Sequence, residues 1–100
     1  MKDKVVFITG AARGIGYEIA QAFLEGGAKV MISDIDEESL KIAIESLSEN
    51  VAGIVCDVSK EEDVKRAVEA TAEQFGSIDI LINNAGLQYV AMIEDFPGIK

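Results

Sequence analysis

The sequence has no histidine and only one cysteine, Cys56, among its 100 residues. A single cysteine cannot form a disulfide within the chain. The lack of histidine removes the side chain most often used to move protons near neutral pH. Basic residues are also few, since 9 lysines and arginines face 18 acids and the net charge is −9. Nucleic acids and anionic membranes are bound through basic surfaces, so the composition argues against both partners.

Long apolar runs are missing as well. None approaches the roughly 20 residues of a membrane-spanning helix, and the first ten residues, MKDKVVFITG, do not have the pattern of a secretory leader. We therefore expect a cytoplasmic location. With 49% apolar residues and no low-complexity segment or linker, the 100 residues are expected to form a single domain.

Short apolar runs alternate with segments of helical periodicity along the chain. Strands are predicted at 5–9, 29–33, 51–56 and 78–82. Helices are predicted from Ile15 to Gly26, after a cap at Asp36, and after a capping box formed by Ser59 and Glu62. Between 87 and 97 the pattern predicts at most a short helical turn.

The resulting order, βαβαβαβ with short connections, is typical of an α/β fold with parallel strands and right-handed crossovers. We expect a three-layer αβα half of a Rossmann-type sheet, with four parallel strands in the order 3-2-1-4. Ligands of such sheets bind at the carboxyl ends of the strands, where the strand order reverses. The loops at that point are GAARGIG after the first strand and NNAG after the fourth.

The loop GAARGIG, residues 10–16, places three glycines between a strand and a helix. Gly10 permits a tight turn, Gly14 lets the backbone approach a phosphate, and Gly16 lets the helix pack closely. The N–H groups at the start of the helix then suit a pyrophosphate. A turn followed by a close-packed helix is the structural alternative, but the strand before the loop and the helix after it favour a dinucleotide site.

Asp34 follows the second strand, 18 residues beyond Gly16. A carboxylate at this distance can accept hydrogen bonds from the adenosine ribose. A 2′-phosphate would face this charge and that of Asp36, so NAD(H) is expected rather than NADP(H). Arg13 is the opposing feature, because its guanidinium could reach a 2′-phosphate from the glycine loop.

Four motifs together carry a family resemblance that covers essentially the whole chain. TGAARGIG at 9–16 fits the pattern T-G-x-x-x-G-x-G, with Asp34 behind it; Asp57-Val58 follows the third strand, and NNAG at 83–86 follows the fourth. In this order the motifs resemble the short-chain dehydrogenase/reductase family. The chain looks like its N-terminal, cofactor-binding half and is short of the full family fold.

The resemblance implies a role for each matching residue. Thr9 would tie the first strand to the NNAG turn, and Asn83 would steady the sheet. Asp57 would bond the adenine amine and Val58 would pack on the ring. The residues implied in binding NAD are Gly10, Arg13, Gly14, Ile15, Gly16, Asp34, Ile35, Asp57, Val58, Asn84, Ala85 and Gly86.

The tail NNAGLQYVAMIEDFP is similar to the same region of bacterial 3-hydroxybutyrate dehydrogenases. That likeness implies that Gln88 helps to bind a substrate carboxylate, although Met92 stands where a proline is expected. A small hydroxy or keto acid is therefore the expected substrate class of the full-length enzyme. A 3-oxoacyl-thioester reductase, another polyol or keto-ester enzyme, and a solvated loop amide at Gln88 remain open.

The family's proton chemistry uses a serine and a Tyr-x-x-x-Lys pair, and neither tyrosine here fits that pattern. Gln21 follows Tyr17 by four residues, and Ile93 follows Tyr89. We assign no catalytic residue and no metal ligand in this chain, and we expect Cys56 to be a small apolar core residue. The chain alone is expected to be inactive, and a stand-alone nucleotide-binding or assembly fragment is the alternative function.

A sheet that ends at the fourth strand would have only one helix on one face. We expect that face to expose apolar side chains of the first and fourth strands, with the fourth strand as an open edge. Self-association, as a homo-oligomer or with a missing half, is therefore expected.

Overall fold

The protein is described by a computed structural model that covers residues 2–47 and 49–84, together with the backbone of Tyr89–Met92. Strands and helices alternate from the start of the chain to the fourth strand. They are β1 (Val5–Thr9), α1 (Gly14–Glu25), β2 (Lys29–Asp34), α2 (Glu37–Ser46), β3 (Val51–Val55), α3 (Glu61–Phe75), β4 (Ile80–Asn83) and β5 (Tyr89–Met92).

The strands form one sheet in the order β3-β2-β1-β4-β5. The first four are parallel, so the predicted order 3-2-1-4 and the Rossmann-type fold are confirmed. The register pairs Phe7 of β1 with Met31 of β2 on one side and with Leu81 of β4 on the other. Thr9 pairs with Asn83, which brings the loops after β1 and β4 to the same end of the sheet.

Apolar side chains on the two faces of the sheet form separate cores. On one face, Ala20 and Leu24 of α1 and Leu40 and Ala43 of α2 pack on the strands. On the other, Ala67 and Val68 of α3 pack with residues of β1 and β2. The strand residues that pack against α1 and α2 are Val6, Ile8, Val30, Ile32, Ile80 and Ile82. Those that pack against α3 include Phe7 and Met31. Alternate strand residues thus face opposite helical layers, as a sheet covered on both sides requires.

Three sequence predictions fail around β4 and beyond it. Residues 89–92 form a strand antiparallel to β4 where a helical turn was expected, so β4 is not an open edge. The remaining residues of 87–97 lie outside the described part. The prediction that one face of the sheet exposes apolar side chains of β1 and β4 is also wrong. Phe7 of β1 has no exposed surface, and Leu81 of β4 is half-buried.

Element ends differ from the predictions by one or two residues. Strand β4 begins at Ile80, because Asp79 bonds to Val5 through both its backbone N–H and its carboxylate. The predicted cap at Asp36 is confirmed, since its carboxylate accepts the N–H groups of Glu38 and Ser39. The prediction of a capping box formed by Ser59 and Glu62 is wrong, because the capping residue of α3 is Lys60.

Candidate functional site

The glycine loop makes the tight turn predicted at Gly10 and uses backbone conformations that favour glycine. Gly10 and Gly14 have φ of +61° and +66°, a region that side chains other than glycine rarely adopt. Gly16 is buried, and a Cβ placed there would lie 2.5 Å from the Gly10 carbonyl oxygen and 2.9 Å from the Ala11 Cα. Nothing lies within 4 Å of a Cβ placed at Gly14. The loop is therefore packed tightly on its inner side and open at Gly14.

Two hydrogen bonds hold the loop against the end of β2. The Ala11 N–H donates to the Ser33 carbonyl at 3.0 Å, and the Ala12 N–H donates to Asp34 Oδ2 at 3.2 Å. Asp34 Oδ1 accepts the Asp36 N–H at 3.2 Å. The half-buried carboxylate of Asp34 thus joins the glycine loop to the turn that leads into α2.

Asn84 attaches the loop after β4 to the glycine loop, since its Nδ2 donates to the Gly10 carbonyl at 3.1 Å. Thr9 makes the predicted tie as well. Its hydroxyl donates to Asn83 Oδ1 at 2.9 Å and accepts the Asn84 N–H at 2.9 Å. Ala85, Gly86 and Gln88, which the sequence also assigned to the site, lie outside the described residues.

Replacing Thr9 with valine is expected to lower the free energy of unfolding by about 1–3 kcal/mol, since the Asn84 N–H and the Asn83 Oδ1 lose a partner in a partly buried site. Denaturant unfolding of Thr9→Val and Thr9→Ser measures this, because serine keeps the hydroxyl. Equal losses in both variants would contradict the role given to the hydroxyl.

The carboxyl ends of β1, β2 and β3 surround a cavity of about 340 Å³. It is lined by Gly10, Arg13, Asp34, Ile35, Cys56, Asp57 and Val58. The structure therefore brings together residues that the sequence assigned separately to the pyrophosphate loop, the ribose and the adenine. The prediction that Cys56 is a core residue is confirmed, and Cys56 also lines this cavity, a role that its position directly before Asp57 could have indicated.

Apolar side chains are exposed around this cavity. Of its lining residues, Ile35 is 66% exposed and Val58 is 36% exposed, and Ile15 of the glycine loop, which does not line the cavity, is 64% exposed. Only two other large apolar side chains in the described residues, Ile42 and Val55, are equally open. Exposed apolar groups beside a polar cleft are typical of a ligand site.

Asp57 lies in a turn that precedes α3. Its Oδ1 accepts both the hydroxyl and the N–H of Ser59, at 2.6 and 3.0 Å. These bonds, the hydroxyl first, hold the pKa of the Asp57 carboxyl below its ordinary value. The carboxylate at the cavity is therefore ionised at neutral pH.

The Ser59–Asp57 bonds predict an acid dependence of stability. A lowered folded pKa stabilises the protein above the unfolded value, about 3.9, and this contribution is lost as the pH falls through the folded pKa. Urea unfolding of the wild type and of Ser59→Ala should therefore differ most at about pH 6, and the difference should shrink as the pH falls below about 3.9. A constant difference across this range would contradict the assignment.

Burial, with a smaller contribution from the Asp63 charge, raises the pKa of the Cys56 thiol. The thiol is thus protonated at neutral pH and lies only 3% exposed. No group of three or more histidine, cysteine or acidic side chains in the described ranges is arranged to hold a metal ion. No helix among the described residues is long and apolar enough to cross a membrane.

A parallel sheet with a glycine loop after β1, an acid at the end of β2 and an acid after β3 is typical of a dinucleotide-binding α/β protein. The short chain dehydrogenase family model matches residues 4–98, and the chain belongs to this family. Uncharacterized oxidoreductase YxjF of Bacillus subtilis is 46% identical over 100 residues, which are 97% of this chain and 39% of the relative.

Two solved structures show the same fold with bound cofactors. The 3-ketoacyl-(acyl-carrier-protein) reductase of Brucella melitensis, complexed with NADH, is 41% identical with a TM-score of 0.78, over 81% of this chain and 33% of that one. A variant of actinorhodin polyketide ketoreductase with NADPH is 34% identical with a TM-score of 0.81, over 84% and 33%. The chain spans about a third to two fifths of these proteins, and they give the family without deciding between the two cofactors.

Proposed function

We propose that the chain is the NAD(H)-binding portion of a dehydrogenase that acts on a small hydroxy or keto acid. The observation that carries the proposal is the cavity at the ends of β1, β2 and β3. It combines the glycine loop with the Asp34 carboxylate and the Asp57–Val58 turn. Each part matches one portion of an adenine dinucleotide.

The glycine loop fits a pyrophosphate. Helix α1 has no side-chain cap and no acid in its first turn, whereas α2 is capped by Asp36 and α3 begins with three acids. The N–H groups and positive dipole end of α1 are thus left to an anion. The open space at Gly14 allows the phosphate to approach the backbone.

The adenosine portion fits the rest of the cavity. Asp34 would accept hydrogen bonds from the ribose hydroxyls, and Ile35 and Val58 would pack against the adenine. Asp57 would accept the adenine amine through Oδ2, because its Oδ1 already accepts two bonds from Ser59. Asn84, with Ala85 and Gly86, would line the nicotinamide ribose, and Ile15 would flank the pyrophosphate.

NAD(H) is favoured over NADP(H) by charge. The half-buried Asp34 carboxylate would lie beside the ribose, where a 2′-phosphate would be repelled. Arg13 lines the same cavity and is the opposing charge. The pKa of Asp36 is lowered mainly by the hydrogen bonds from Ser39, with the Arg13 charge as the smallest contribution. The carboxylate is therefore proposed to decide the preference.

The substrate class rests on the likeness of the tail to 3-hydroxybutyrate dehydrogenases, with Gln88 binding the substrate carboxylate. When bound, the nicotinamide would accept or supply the hydride. The residues of this chain bind and orient the cofactor, and the family's serine and Tyr-x-x-x-Lys would come from sequence beyond these 100 residues.

Isothermal titration calorimetry of the chain with NADH tests the binding site. We expect saturable binding that Val58→Asp weakens by about tenfold or more, because the new charge lies beside the adenine and Asp57. Gln21→Asp is the matched control, since it places a charge in a separate cavity of about 310 Å³ between α1 and α2. No binding by the wild type, or equal losses in both variants, would contradict the proposal.

A further inference from the structure

Asp63, in the first turn of α3, reaches back to the turn that carries the proposed adenine contacts. Its Oδ2 accepts the Asp57 N–H at 3.1 Å. Its Oδ1 accepts a hydrogen bond from Arg66 Nη2 at 3.2 Å, so each carboxylate oxygen has a different partner. No sequence motif assigned a role to Asp63.

The Asp57 backbone is held at both ends. Its N–H donates to Asp63, and its carbonyl accepts the Lys60 N–H at 2.9 Å. The side chain is fixed in turn by the two bonds from Ser59. Asp63 thus connects the first turn of α3 to the residue proposed to contact the adenine.

The bond to Asp63 differs from an ordinary helix cap. Lys60, the capping residue of α3, makes no side-chain cap, since its ammonium group has no acceptor. The acid three residues later bonds to a residue outside the helix. An ionised acceptor makes a stronger bond to a backbone N–H than a neutral one. The Arg66 pair is exposed on the arginine side and adds little by itself.

We propose that Asp63 is a positioning residue that holds the Asp57–Val58 turn against the adenine and thereby sets the preference for adenine over other purine bases. This inference rests on the proposed function, in which Asp57 accepts the adenine amine. It goes beyond that function by making base selectivity depend on a carboxylate that does not line the cavity.

The test compares binding of NADH with binding of reduced nicotinamide hypoxanthine dinucleotide, which carries an oxo group in place of the adenine amine. The 100-residue wild type should prefer NADH by about tenfold or more, as expected for one hydrogen bond to a charged group. Asp63→Ala should reduce this preference to about threefold or less. Glu62→Gln, which removes a charge from an exposed neighbour in the same turn, should leave the preference unchanged.

Equal weakening of both dinucleotides by Asp63→Ala would overturn the inference, since a merely structural role predicts that result. If Asp63→Ala does not fold, Asp63→Asn is the variant that tests the inference, because asparagine keeps the shape of the side chain and a neutral oxygen acceptor. It should lower the preference about twofold to threefold, and an unchanged preference would overturn the inference. A wild type that does not bind NADH refutes the proposed function, whereas NADH binding with an unaltered preference in the variants refutes the role of Asp63 alone.

Discussion

Gly16→Ala is expected to lower the free energy of unfolding by about 2–3 kcal/mol and to abolish measurable NADH binding. The added methyl would lie 2.5 Å from the Gly10 carbonyl oxygen, 2.8 Å from Asn84 Nδ2 and 2.9 Å from the Ala11 Cα. Two of these atoms are backbone, so the clash is relieved only if α1 moves away from the loop. That movement displaces the N–H groups proposed to bind the pyrophosphate.

Thermal unfolding and NADH titration measure the two effects of Gly16→Ala. For a domain of this size the loss corresponds to about 10–20 °C in melting temperature. Gly76→Ala is the control, since Gly76 has φ of +92° and open space around it at the distant end of α3. It should lose stability through backbone strain alone and keep the NADH affinity of the wild type. Full NADH binding by folded Gly16→Ala would contradict the role of close packing in forming the site.

Asp34→Asn is expected to shift the ratio of NADPH to NADH affinity by about 100-fold toward NADPH. The charged acceptor for the ribose hydroxyls becomes neutral, which costs NADH binding about tenfold. Repulsion of the 2′-phosphate is removed at the same time, so the attraction of Arg13 in the same cavity is no longer opposed by the Asp34 charge. Asparagine keeps one oxygen, which can accept the Ala12 N–H and hold the glycine loop, whereas the bond from the Asp36 N–H in the turn before α2 is lost.

Dissociation constants of both cofactors, measured at one ionic strength, test this prediction. Glu37→Gln removes the same charge from an exposed residue of the first turn of α2 and controls for long-range electrostatics. A ratio that changes equally in Asp34→Asn and Glu37→Gln would show that net charge, rather than the carboxylate beside the ribose, sets the preference.

The parts of the site that depend on local sequence were predictable. The turn at Gly10 and the cap at Asp36 follow from the local residue types, and the nearness of Asp34 to the glycine loop follows from the shared carboxyl end of a parallel sheet. The strand order follows from short connections and crossover handedness, which leave few arrangements open.

The parts that failed depend on competition between similar local signals. Ser59 and Glu62 fit a capping box, yet the Ser59 hydroxyl bonds to Asp57 and the reaching acid is Asp63. When several acids lie near the start of one helix, their spacing alone does not show which of them bonds to the preceding turn. The segment 89–92 is too short for its periodicity to separate helix from strand, and pairing with β4 decides it.

Amide chemical shifts of the chain, measured by NMR with and without NADH, test the central claim most directly. We predict that the largest changes occur at Gly14, Ile15 and Gly16, with further changes at Asp34 and Val58. Shifts confined to the cavity between α1 and α2, or none at millimolar NADH with a folded chain, would contradict the account.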